Sequence, residues 1–364
     1  MVEPRRLLEE LGVEVVWADS LGAKSLALSV GRPGCKVLVD PGAAAMHPSY
    51  PLGAEEKRRL RREALRAIAS RVAEARLVVV THYHYDHYVR PWDPDYPGPS
   101  PYEGRLVVAK NPNAFINESQ RGRAIELYER LLAEKGVELR ALLEPPEPVE
   151  PPDYEAAMPL TARASKPERL EAGRRWLRSL AEKWSRWPRL PPRLEAPGLE
   201  VVLADEGSWE ACGVRVTLLG PHFHGDIYER TGWVVPVLVE HRGSRILYTS
   251  DLMGPLSEDY AEEAIRLKPR VIIADGPATY LPPRMFPRRA LERAKANMAR
   301  IVEESGAELI IWDHHLPREP RWRERVEEVF RVAERAGVWL GPYSWLLGEP
   351  SLAEKLRGGS RGRG

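Results

Sequence analysis

Residues 77–87, LVVVTHYHYDH, decide how the rest of the chain is interpreted. The first half of this segment is a short, continuous apolar run, which is typical of a strand buried on both faces. The second half places three histidines and an aspartate directly after that strand. Loops that leave the ends of buried strands are where a rigid scaffold presents reactive groups. The segment therefore predicts a buried sheet with a histidine-rich site at one edge.

The spacing of these side chains indicates metal binding. His82 and His84 are two residues apart, so in an extended chain their imidazoles point to the same side and can reach one metal ion. Asp86 and His87 follow as the chain turns, and they can serve a second ion nearby. Each ion still needs further ligands, which must come from elsewhere in the chain.

Two more histidine clusters and one aspartate follow predicted strands and are candidates to complete the two positions. They are GPHFHGD with His222 and His224, WDHHLPRE with His314 and His315, and RILYTSDLMG with Asp251. The three clusters hold seven of the nine histidines of the chain. A carboxylate such as Asp251 can bridge two cations that imidazoles alone would leave repelling each other. From the residues alone, either histidine of each pair can be the ligand.

The order of the predicted elements favours two packed sheets flanked by helices. Strand-like runs at 13–17, 25–30 and 35–40 precede an amphipathic helical pattern at 54–76. Further strands are predicted at 200–203, 214–219, 233–240, 245–249, 271–275 and 307–313, and further helices at 258–267, 288–304 and 320–336. A doubly wound parallel sheet would instead alternate strands and helices throughout.

Residues 91–198 differ from the rest of the chain in composition and in the pattern of predicted elements. They hold proline-rich loops, a strand-like RLVVA and helical patterns at 119–136 and 167–187. Because a proline-rich stretch cannot be a central strand, this range is predicted to be a helical, lid-like insertion within a single domain that spans residues 1–350. Residues 351–364 end in a run of glycines and arginines and are predicted to be a disordered tail.

Composition and charge exclude several classes of protein. With 364 residues, of which 43% are hydrophobic and 29% charged, the chain can bury a substantial core. A net charge of +1 argues against a protein covered in positive charge for wrapping duplex nucleic acid. No run approaches the roughly 20 apolar residues of a membrane helix, and the first residues lack the apolar region of a signal peptide. Both features favour a cytoplasmic protein without membrane contact.

The cysteines, prolines and amides carry two further expectations. Cys35 and Cys212 cannot make a disulfide framework, which also favours the cytoplasm. The chain has 34 prolines, many charged residues and few of the heat-labile amides. This combination indicates a protein from a thermophile.

The order of four motifs along the chain resembles the metallo-β-lactamase superfamily. They are HxHxDH after a buried strand, a glycine-flanked histidine, a strand-end aspartate and a final strand-end histidine. VLVDPG at 37–42 is also similar to that superfamily. Five segments are most similar to an uncharacterised, largely archaeal branch of predicted metal-dependent hydrolases. They are THYHYDH, FHGD, SDLMGP, DGPATYL and DHHLPR. The resemblance covers about residues 12–340, although 91–198 match poorly. It implies an α/β (α+β) chain folded as a four-layer αββα sandwich.

The resemblance also implies roles for the candidate ligands. His82, His84 and a later histidine would hold the first ion, Asp86, His87 and a final histidine would hold the second, and Asp251 would bridge them. Asp40, in VLVDPG, would either orient a ligand histidine or serve the strand-end turn.

Within the two histidine pairs, one member of each is preferred. His224 is favoured because Phe-His-Gly matches the archaeal branch, and His222 is the runner-up. Alternation along an extended segment lets only one of His314 and His315 face inward, and His314 is favoured as the first residue after the strand-ending Asp313.

Such a site predicts hydrolysis. Histidine and carboxylate ligands without cysteine suit zinc best, with manganese and iron as alternatives. Two divalent ions about 3.5–4 Å apart lower the pKa of a shared water toward ~7, so that the metal-bound hydroxide is the nucleophile. Asp86 is the candidate catalytic residue that accepts the proton of that water. The branch of the superfamily with iron redox chemistry usually has a glutamate at the position of His84, which favours hydrolysis over electron transfer.

Three functions are open at this stage. The first is a hydrolase of a phosphodiester, either RNA or a nucleotide, since residues 163–193 are basic and interleave Trp176, Trp184 and Trp187, as in surfaces that bind single-stranded RNA. The same tryptophans lie at helical spacing, so an apolar stripe packed on the sandwich explains them equally. The second function is a hydrolase of a small ester, lactone or thioester. The third is a non-catalytic, metal-stabilised binding protein. The sequence does not predict an oligomeric state.

Overall fold

The computed structural model of the protein describes residues 3–360. Within these residues two seven-stranded sheets pack face to face, and helices cover their outer faces. The predicted α/β class and αββα sandwich are therefore confirmed.

The first sheet has the strand order β1-β2-β3-β4-β5-β7-β6. Its strands are β1 (Val13–Ala18), β2 (Leu26–Arg32), β3 (Cys35–Val39), β4 (Ala75–Val80), β5 (Leu106–Ala109), β6 (Arg193–Ala196) and β7 (Leu199–Leu203). The strands β3, β4, β5 and β7 are parallel to one another, whereas β1, β2 and β6 extend the sheet by antiparallel pairing.

The second sheet has the order β16-β15-β14-β13-β12-β9-β8. Its strands are β8 (Glu206–Ala211), β9 (Val214–Leu219), β12 (Val237–His241), β13 (Ser244–Tyr248), β14 (Val271–Asp275), β15 (Leu309–Asp313) and β16 (Trp339–Gly341). The strands from β13 to β16 are parallel. A short hairpin of β10 (His222–Phe223) and β11 (Trp233–Val234) lies outside both sheets.

The helices form the outer layers and the connections. They are α1 (Pro4–Glu10), α2 (Ala54–Val72), α3 (Glu118–Ala133), α4 (Leu139–Leu142), α5 (Tyr154–Ala157), α6 (Pro159–Ala164), α7 (Pro167–Trp184), α8 (Glu258–Leu267), α9 (Arg288–Glu304), α10 (Trp322–Ala336), α11 (Tyr343–Leu346) and α12 (Leu352–Ser360). The predicted bounds of α8, α9 and β14 are confirmed to the residue. None of the helices within residues 3–360 is both long and apolar enough to cross a membrane.

Strand β4 shows why the apolar run before the histidines is buried on both faces. Leu77 and Val79 pack between the two sheets, whereas Val78 and Val80 pack under the helices of the outer layer. Fully burying one such side chain stabilises the fold by about 1.5–3 kcal/mol. The strand is thereby held rigidly, and so is the segment that leaves its end.

The predicted insertion at 91–198 does not stand apart as one unit. Its strand-like RLVVA forms β5, a central strand of the first sheet, and α3 packs on the same core. The apolar side chains of β5 outweigh the prolines around it, because they fill a place between β4 and β7. The stretch that holds α4 to α7 contributes helices but no strand to the sheets, and α7 packs on the β10–β11 hairpin.

The predicted disordered tail is wrong for residues 351–360. Ser351 and Glu354 form a reciprocal capping box, in which each backbone N–H donates to the side chain of the other residue. Helix α12 then buries Ala353 against the core beside α10, with Leu352 and Leu356 packed around it. Residues 361–364, the rest of the predicted tail, lie outside the described residues.

The two cysteines form a disulfide, contrary to what their number suggested. Cys35 begins β3 in the first sheet and Cys212 lies in the turn between β8 and β9 of the second, with 5.4 Å between their Cα atoms. Two cysteines 177 residues apart carry no recognisable spacing, so only the packing of the sheets brings them together. The disulfide joins the two sheets at the end opposite the histidine clusters and removes the argument from cysteine usage for a cytoplasmic setting.

Candidate metal centre

The segments that follow β4, β10, β13 and β15 meet at one edge of the sandwich. They bring together His82, His84, Asp86, His87, His224, Asp251, His314 and His315. Strands that run parallel carry their loops to the same edge, which is why clusters more than two hundred residues apart in sequence become neighbours.

A first group consists of His82, His84, His224 and Asp251, whose ligand atoms all lie within 4.8 Å of one another. The Nε2 atom of His224 is 3.0 Å from Oδ2 of Asp251, and Nε2 of His82 is 3.5 Å from the same oxygen. The set of three imidazoles and one carboxylate oxygen is a donor set that zinc accepts.

A second group consists of Asp86, His87 and His314, again within 4.8 Å. Here the other oxygen of Asp251 takes part: Oδ1 lies 3.2 Å from Nε2 of His87 and 3.4 Å from Nε2 of His314. Asp251 thus turns one oxygen to each group, which is the arrangement that a bridging carboxylate requires.

His222, the runner-up for the first group, points away from the centre. Its Nε2 lies 2.5 Å from a carboxylate oxygen of Glu263, and its Nδ1 lies 3.1 Å from the carbonyl oxygen of Gly220. The ring also packs at 4.3 Å on Tyr260. These contacts occupy His222 fully, so of this pair only His224 faces Asp251.

The expectation that only one of His314 and His315 faces inward is wrong. His315 has a φ of +64°, in the left-handed region, and this breaks the alternation of an extended chain. Its Nε2 consequently lies 3.5 Å from Oδ2 of Asp251, while His314 reaches Oδ1. Both histidines are therefore candidate ligands on geometric grounds.

Three imidazoles of the centre are held from behind by buried carboxylates. Nδ1 of His87 lies 2.8 Å from Oδ2 of Asp40. Nδ1 of His314 lies 3.0 Å from Asp19, and Nδ1 of His315 lies 3.2 Å from Asp275. A carboxylate on Nδ1 fixes the tautomer that leaves Nε2 free for a metal.

The sequence indicated one of these three carboxylates and missed two. Asp40 was a candidate for this role, and it also accepts hydrogen bonds from the Thr81 hydroxyl and from Tyr248. Asp19 and Asp275 went unassigned, although each directly follows or ends a strand, β1 and β14 respectively. That position is the feature that could have identified them.

The remaining imidazoles have weaker support. Nδ1 of His82 lies 3.2 Å from the Thr81 hydroxyl and 3.3 Å from the Ser250 hydroxyl. Nδ1 of His224 is buried and has no hydrogen-bond partner among the described residues. The first group thus lacks the buried carboxylates that orient the second.

The charges around the two groups shift the pKa values of their imidazoles in opposite directions. Burial by itself would lower the pKa of His87, but Asp251 and Asp40 outweigh it and raise that pKa to about 10. Burial and the neighbouring His224 lower the pKa of His84 to about 3. Burial and the charge of His87 hold the pKa of His82 well below its ordinary value. His82 and His84 are therefore neutral near pH 7, as coordination requires.

A cavity of about 310 Å³ opens onto the centre. Arg318, which the sequence reasoning missed within WDHHLPRE, lines this cavity and is 4% exposed. Its guanidinium donates to Asp19, to the Tyr280 hydroxyl at 3.1 Å and to Asp86 at 3.5 Å. Lys24 and Arg123 also line this cavity, so three cations surround its opening.

A second cavity of about 270 Å³ adjoins the first beside His224. Its apolar wall is formed by Met253, Leu256, Leu281 and Phe286, and helices α6 and α7 contribute Ala164, Ser165, Lys166 and Arg169 to the opposite side. The stretch with α4 to α7 therefore contacts the space next to the candidate centre.

The tryptophans of the basic segment at 163–193 face inward. Trp184 is buried and donates its indole N–H to the carbonyl of Ile116. Trp176 stacks on Trp233 at 5.6 Å, and Trp187 packs under the guanidinium of Arg121 at 4.4 Å. Each of these rings packs against other groups of the protein, as the alternative of an apolar stripe packed on the sandwich expects.

Two sheets between helical layers, with the histidines and aspartates gathered where parallel strands end, define a protein of the metallo-β-lactamase fold with a candidate metal centre. The chain is 30% identical over 331 residues to a UPF0282 protein of Aeropyrum pernix, and the alignment covers 90% of each chain. The protein therefore belongs to the UPF0282 family.

Other relatives agree. The UPF0282 protein of Korarchaeum cryptofilum is 28% identical over 313 residues, which cover 86% of this chain and 81% of that protein. The UPF0282 protein of Pyrobaculum neutrophilum is 29% identical over 339 residues, which cover 92% of this chain and 89% of that protein. These relatives are archaeal, as the resemblance implied. No protein-family model matches the chain.

Solved structures show more distant likenesses. The metallo-β-lactamase fold protein YhfI from Bacillus subtilis is 10% identical with a TM-score of 0.41, covering 90% of this chain and 93% of its own. Igni18, a metallo hydrolase from Ignicoccus hospitalis, is 14% identical with a TM-score of 0.36, covering 89% and 92%. The assignment of the fold follows from the sheets and side chains of the chain itself.

Proposed function

We propose that the protein is a metal-dependent hydrolase with a dinuclear centre, and that it cleaves a phosphodiester of nucleotide size. The observation that carries this proposal is the placement of Asp251, which turns Oδ2 to the first group of ligands and Oδ1 to the second. A carboxylate shared in this way can hold two ions close enough to activate a water between them.

The residues present fit two divalent ions. Nε2 of His87 and Oδ1 of Asp251 are buried, yet neither makes a hydrogen bond among the described residues. Buried polar atoms are rarely left without a partner in folded proteins, and both of these atoms point into the centre. An ion held by the second group would satisfy both. The absence of cysteine from the set favours zinc, with manganese and iron as alternatives.

The roles of the side chains follow from their places. His82, His84 and His224 would hold one ion, and Asp86, His87 and His314 the other. His315 lies beside Asp251 as a further candidate ligand. When bound, the two ions acidify a shared water and polarise the substrate oxygen. Asp86 lies at the cavity and accepts the proton of the attacking water in our proposal. Asp40 and Asp19 keep the imidazoles of His87 and His314 in the productive orientation.

The charge of the cavity supports an anionic substrate. Lys24, Arg123 and Arg318 surround its opening, and cationic side chains attract and orient phosphate groups. A cavity of about 310 Å³ that adjoins one of about 270 Å³ has room for a nucleotide-sized molecule. Contact of single-stranded RNA with residues 163–193 is not part of this proposal, because the tryptophans there are packed inside.

A small ester, lactone or thioester is the second candidate substrate. The apolar wall formed by Met253, Leu281 and Phe286 is the observation that favours it, since an uncharged substrate would be bound mainly by such contacts. In either case we infer that the stretch with α4 to α7 serves as the lid, because α6 and α7 complete the wall of this cavity.

Elemental analysis of protein purified without chelators or a metal-binding tag is the first test. We expect about two ions per chain, as a dinuclear centre requires, and less metal in His82→Ala. His241→Gln is the matched control, because His241 ends β12 at the opposite end of the sandwich and is also buried.

The loaded protein is then assayed against bis-(p-nitrophenyl) phosphate, cyclic nucleotides, p-nitrophenyl esters and lactones. Hydrolysis of the phosphodiesters that His82→Ala abolishes supports the first candidate, and hydrolysis of the esters alone supports the second. Two bound ions with no hydrolysis of any of these compounds would favour a non-catalytic, metal-stabilised binding protein. A folded protein that takes up no metal would overturn the proposal altogether.

A further inference from the structure

Lys24 differs from the other cations around the cavity because its ammonium has no partner. Arg318 is held by Asp19 and Tyr280. Arg123 donates to the carbonyl of Tyr83 and lies over the ring of Tyr85. Within residues 3–360, by contrast, the side chain of Lys24 makes neither a hydrogen bond nor an ion pair, although it is partly buried and lines the cavity.

The fold holds the backbone of Lys24 firmly in this place. Its N–H donates to the carbonyl of Ala44 and its carbonyl accepts from the N–H of Ala44, both at 2.9 Å. The next residue, Ser25, donates its N–H to Asp19 and its hydroxyl to the carbonyl of Gly42. Asp19 is also the partner of Arg318. One buried carboxylate therefore anchors both the segment with Lys24 and the guanidinium of Arg318.

The ammonium also lies on a defined side of the centre. It shares the wall of the cavity with Asp86, Tyr280 and Arg318. Asp86 belongs to the second group of ligands, and Arg318 donates to its carboxylate at 3.5 Å. Lys24 and Arg318 line this cavity and not the apolar one, which adjoins His224 of the first group.

We propose that Lys24, together with Arg318, forms an anion subsite that binds a second anionic group of the substrate, a phosphate or a carboxylate, beside the Asp86 side of the centre. The inference rests on the proposed function, since it concerns the substrate of that centre. It narrows the substrate to a phosphodiester or another small ester that carries one anionic group in addition to the bond that is cleaved. A partly buried ammonium without an internal partner is stabilised when such a group binds it.

The subsite is tested by binding, without reference to hydrolysis. Isothermal titration of the zinc-loaded protein compares methylphosphonate, which has one anionic group, with methylenediphosphonate and phosphonoacetate, which have two. Zinc content is measured after each titration, so that removal of the metal by the probe is not counted as binding. Lys24→Met keeps the length of the side chain and removes its charge. Lys24→Arg keeps the charge, and Lys268→Met removes a lysine exposed at the opposite end of the sandwich, after α8.

The loss of one charge-assisted hydrogen bond predicts that Lys24→Met binds the two-group probes about tenfold more weakly, with methylphosphonate changed less than about twofold. Lys24→Arg restores most of the affinity, and Lys268→Met changes none of the three. A larger loss for methylenediphosphonate assigns a phosphate to the subsite, and a larger loss for phosphonoacetate assigns a carboxylate. Equal losses for all three probes, or no loss, would overturn the inference.

The two proposals fail separately. If Lys24→Met selectively weakens the two-group probes but no ester is hydrolysed, the subsite stands and the hydrolase proposal falls. If phosphodiesters are hydrolysed while Lys24→Met binds every probe as the unchanged protein does, the hydrolase proposal stands and the subsite falls.

Discussion

The two halves of the candidate metal centre share Asp251 but are supported differently. In the second group, His87 and His314 each turn Nδ1 to a buried carboxylate, from Asp40 and Asp19. In the first group, Nδ1 of His82 lies near two hydroxyls, and Nδ1 of His224 has no hydrogen-bond partner among the described residues. The comparison teaches that one half of the centre is oriented and charged by the fold, whereas the other half is left adjustable.

The topology explains the difference. His87 leaves β4, and Asp40 follows β3, its neighbour in the first sheet. His314 follows β15 of the second sheet, and Asp19, which holds its Nδ1, follows β1 of the first sheet, so this pair joins the facing sheets. His224 follows β10, which pairs only with β11 and lies outside both sheets. No neighbouring strand is therefore placed to offer it a carboxylate.

Removal of the shared ligand should have the largest effect on metal content, because both halves of the centre depend on it. We expect Asp251→Ala to lose both ions, since each group contains one oxygen of that side chain. Elemental analysis after dialysis measures the loss. Asp205→Asn, which removes a half-buried carboxylate that pairs with Lys110 and with none of the candidate ligands, should keep both ions. Retention of both ions by Asp251→Ala would refute a shared ligand.

Removal of a backing carboxylate should affect one half alone. Asp40→Asn replaces the carboxylate behind His87 by a neutral amide, and loss of such a partner typically weakens metal binding 10–100-fold. We expect one ion to be lost at a lower chelator concentration while the other is kept. Competitive titration with a chromophoric chelator resolves the two steps. Equal weakening of both steps would show that Asp40 supports the whole centre, and the comparison would then fail.

Removal of a hydroxyl on the other side should have a smaller effect. In Ser250→Ala, Nδ1 of His82 loses one of its two hydroxyl neighbours. A neutral hydrogen bond contributes about 1 kcal/mol, so we expect the first group to bind its ion only about fivefold more weakly. The same chelator titration applies, with the second step unchanged. A loss as large as that in Asp40→Asn would contradict the difference between the groups.

Removal of the disulfide should leave the centre unaffected. Cys35 and Cys212 join the sheets at the end opposite the ligands, so the double variant Cys35→Ser/Cys212→Ser should keep the metal content of the unchanged protein. Its free energy of unfolding should fall by roughly 2–4 kcal/mol, as when a crosslink over a long loop is lost. Denaturant unfolding measures the fall, and a loss of metal would show that the two ends are coupled.

Much of the fold could be predicted because its patterns are local. The helical spacing in α8 and α9 and the apolar run of β14 gave their bounds to the residue. Strand β5 was misplaced in an insertion, since the surrounding prolines are a local feature and its position between β4 and β7 is not. The capping box of Ser351 and Glu354 was readable in the sequence but was outweighed by the glycines that follow.

The sequence by itself determined that His82, His84, Asp86 and His87 leave a buried strand together, because spacing of one or two residues settles their directions. It also determined that two sheets flanked by helices would carry them. Only the tertiary structure decided that His224 and not His222 faces Asp251, since Glu263 and Tyr260 occupy His222. Likewise, a left-handed φ turns His315 inward beside His314. The carboxylates behind the imidazoles and the pairing of the cysteines are contacts between distant segments, and no local pattern encodes which strand ends will meet.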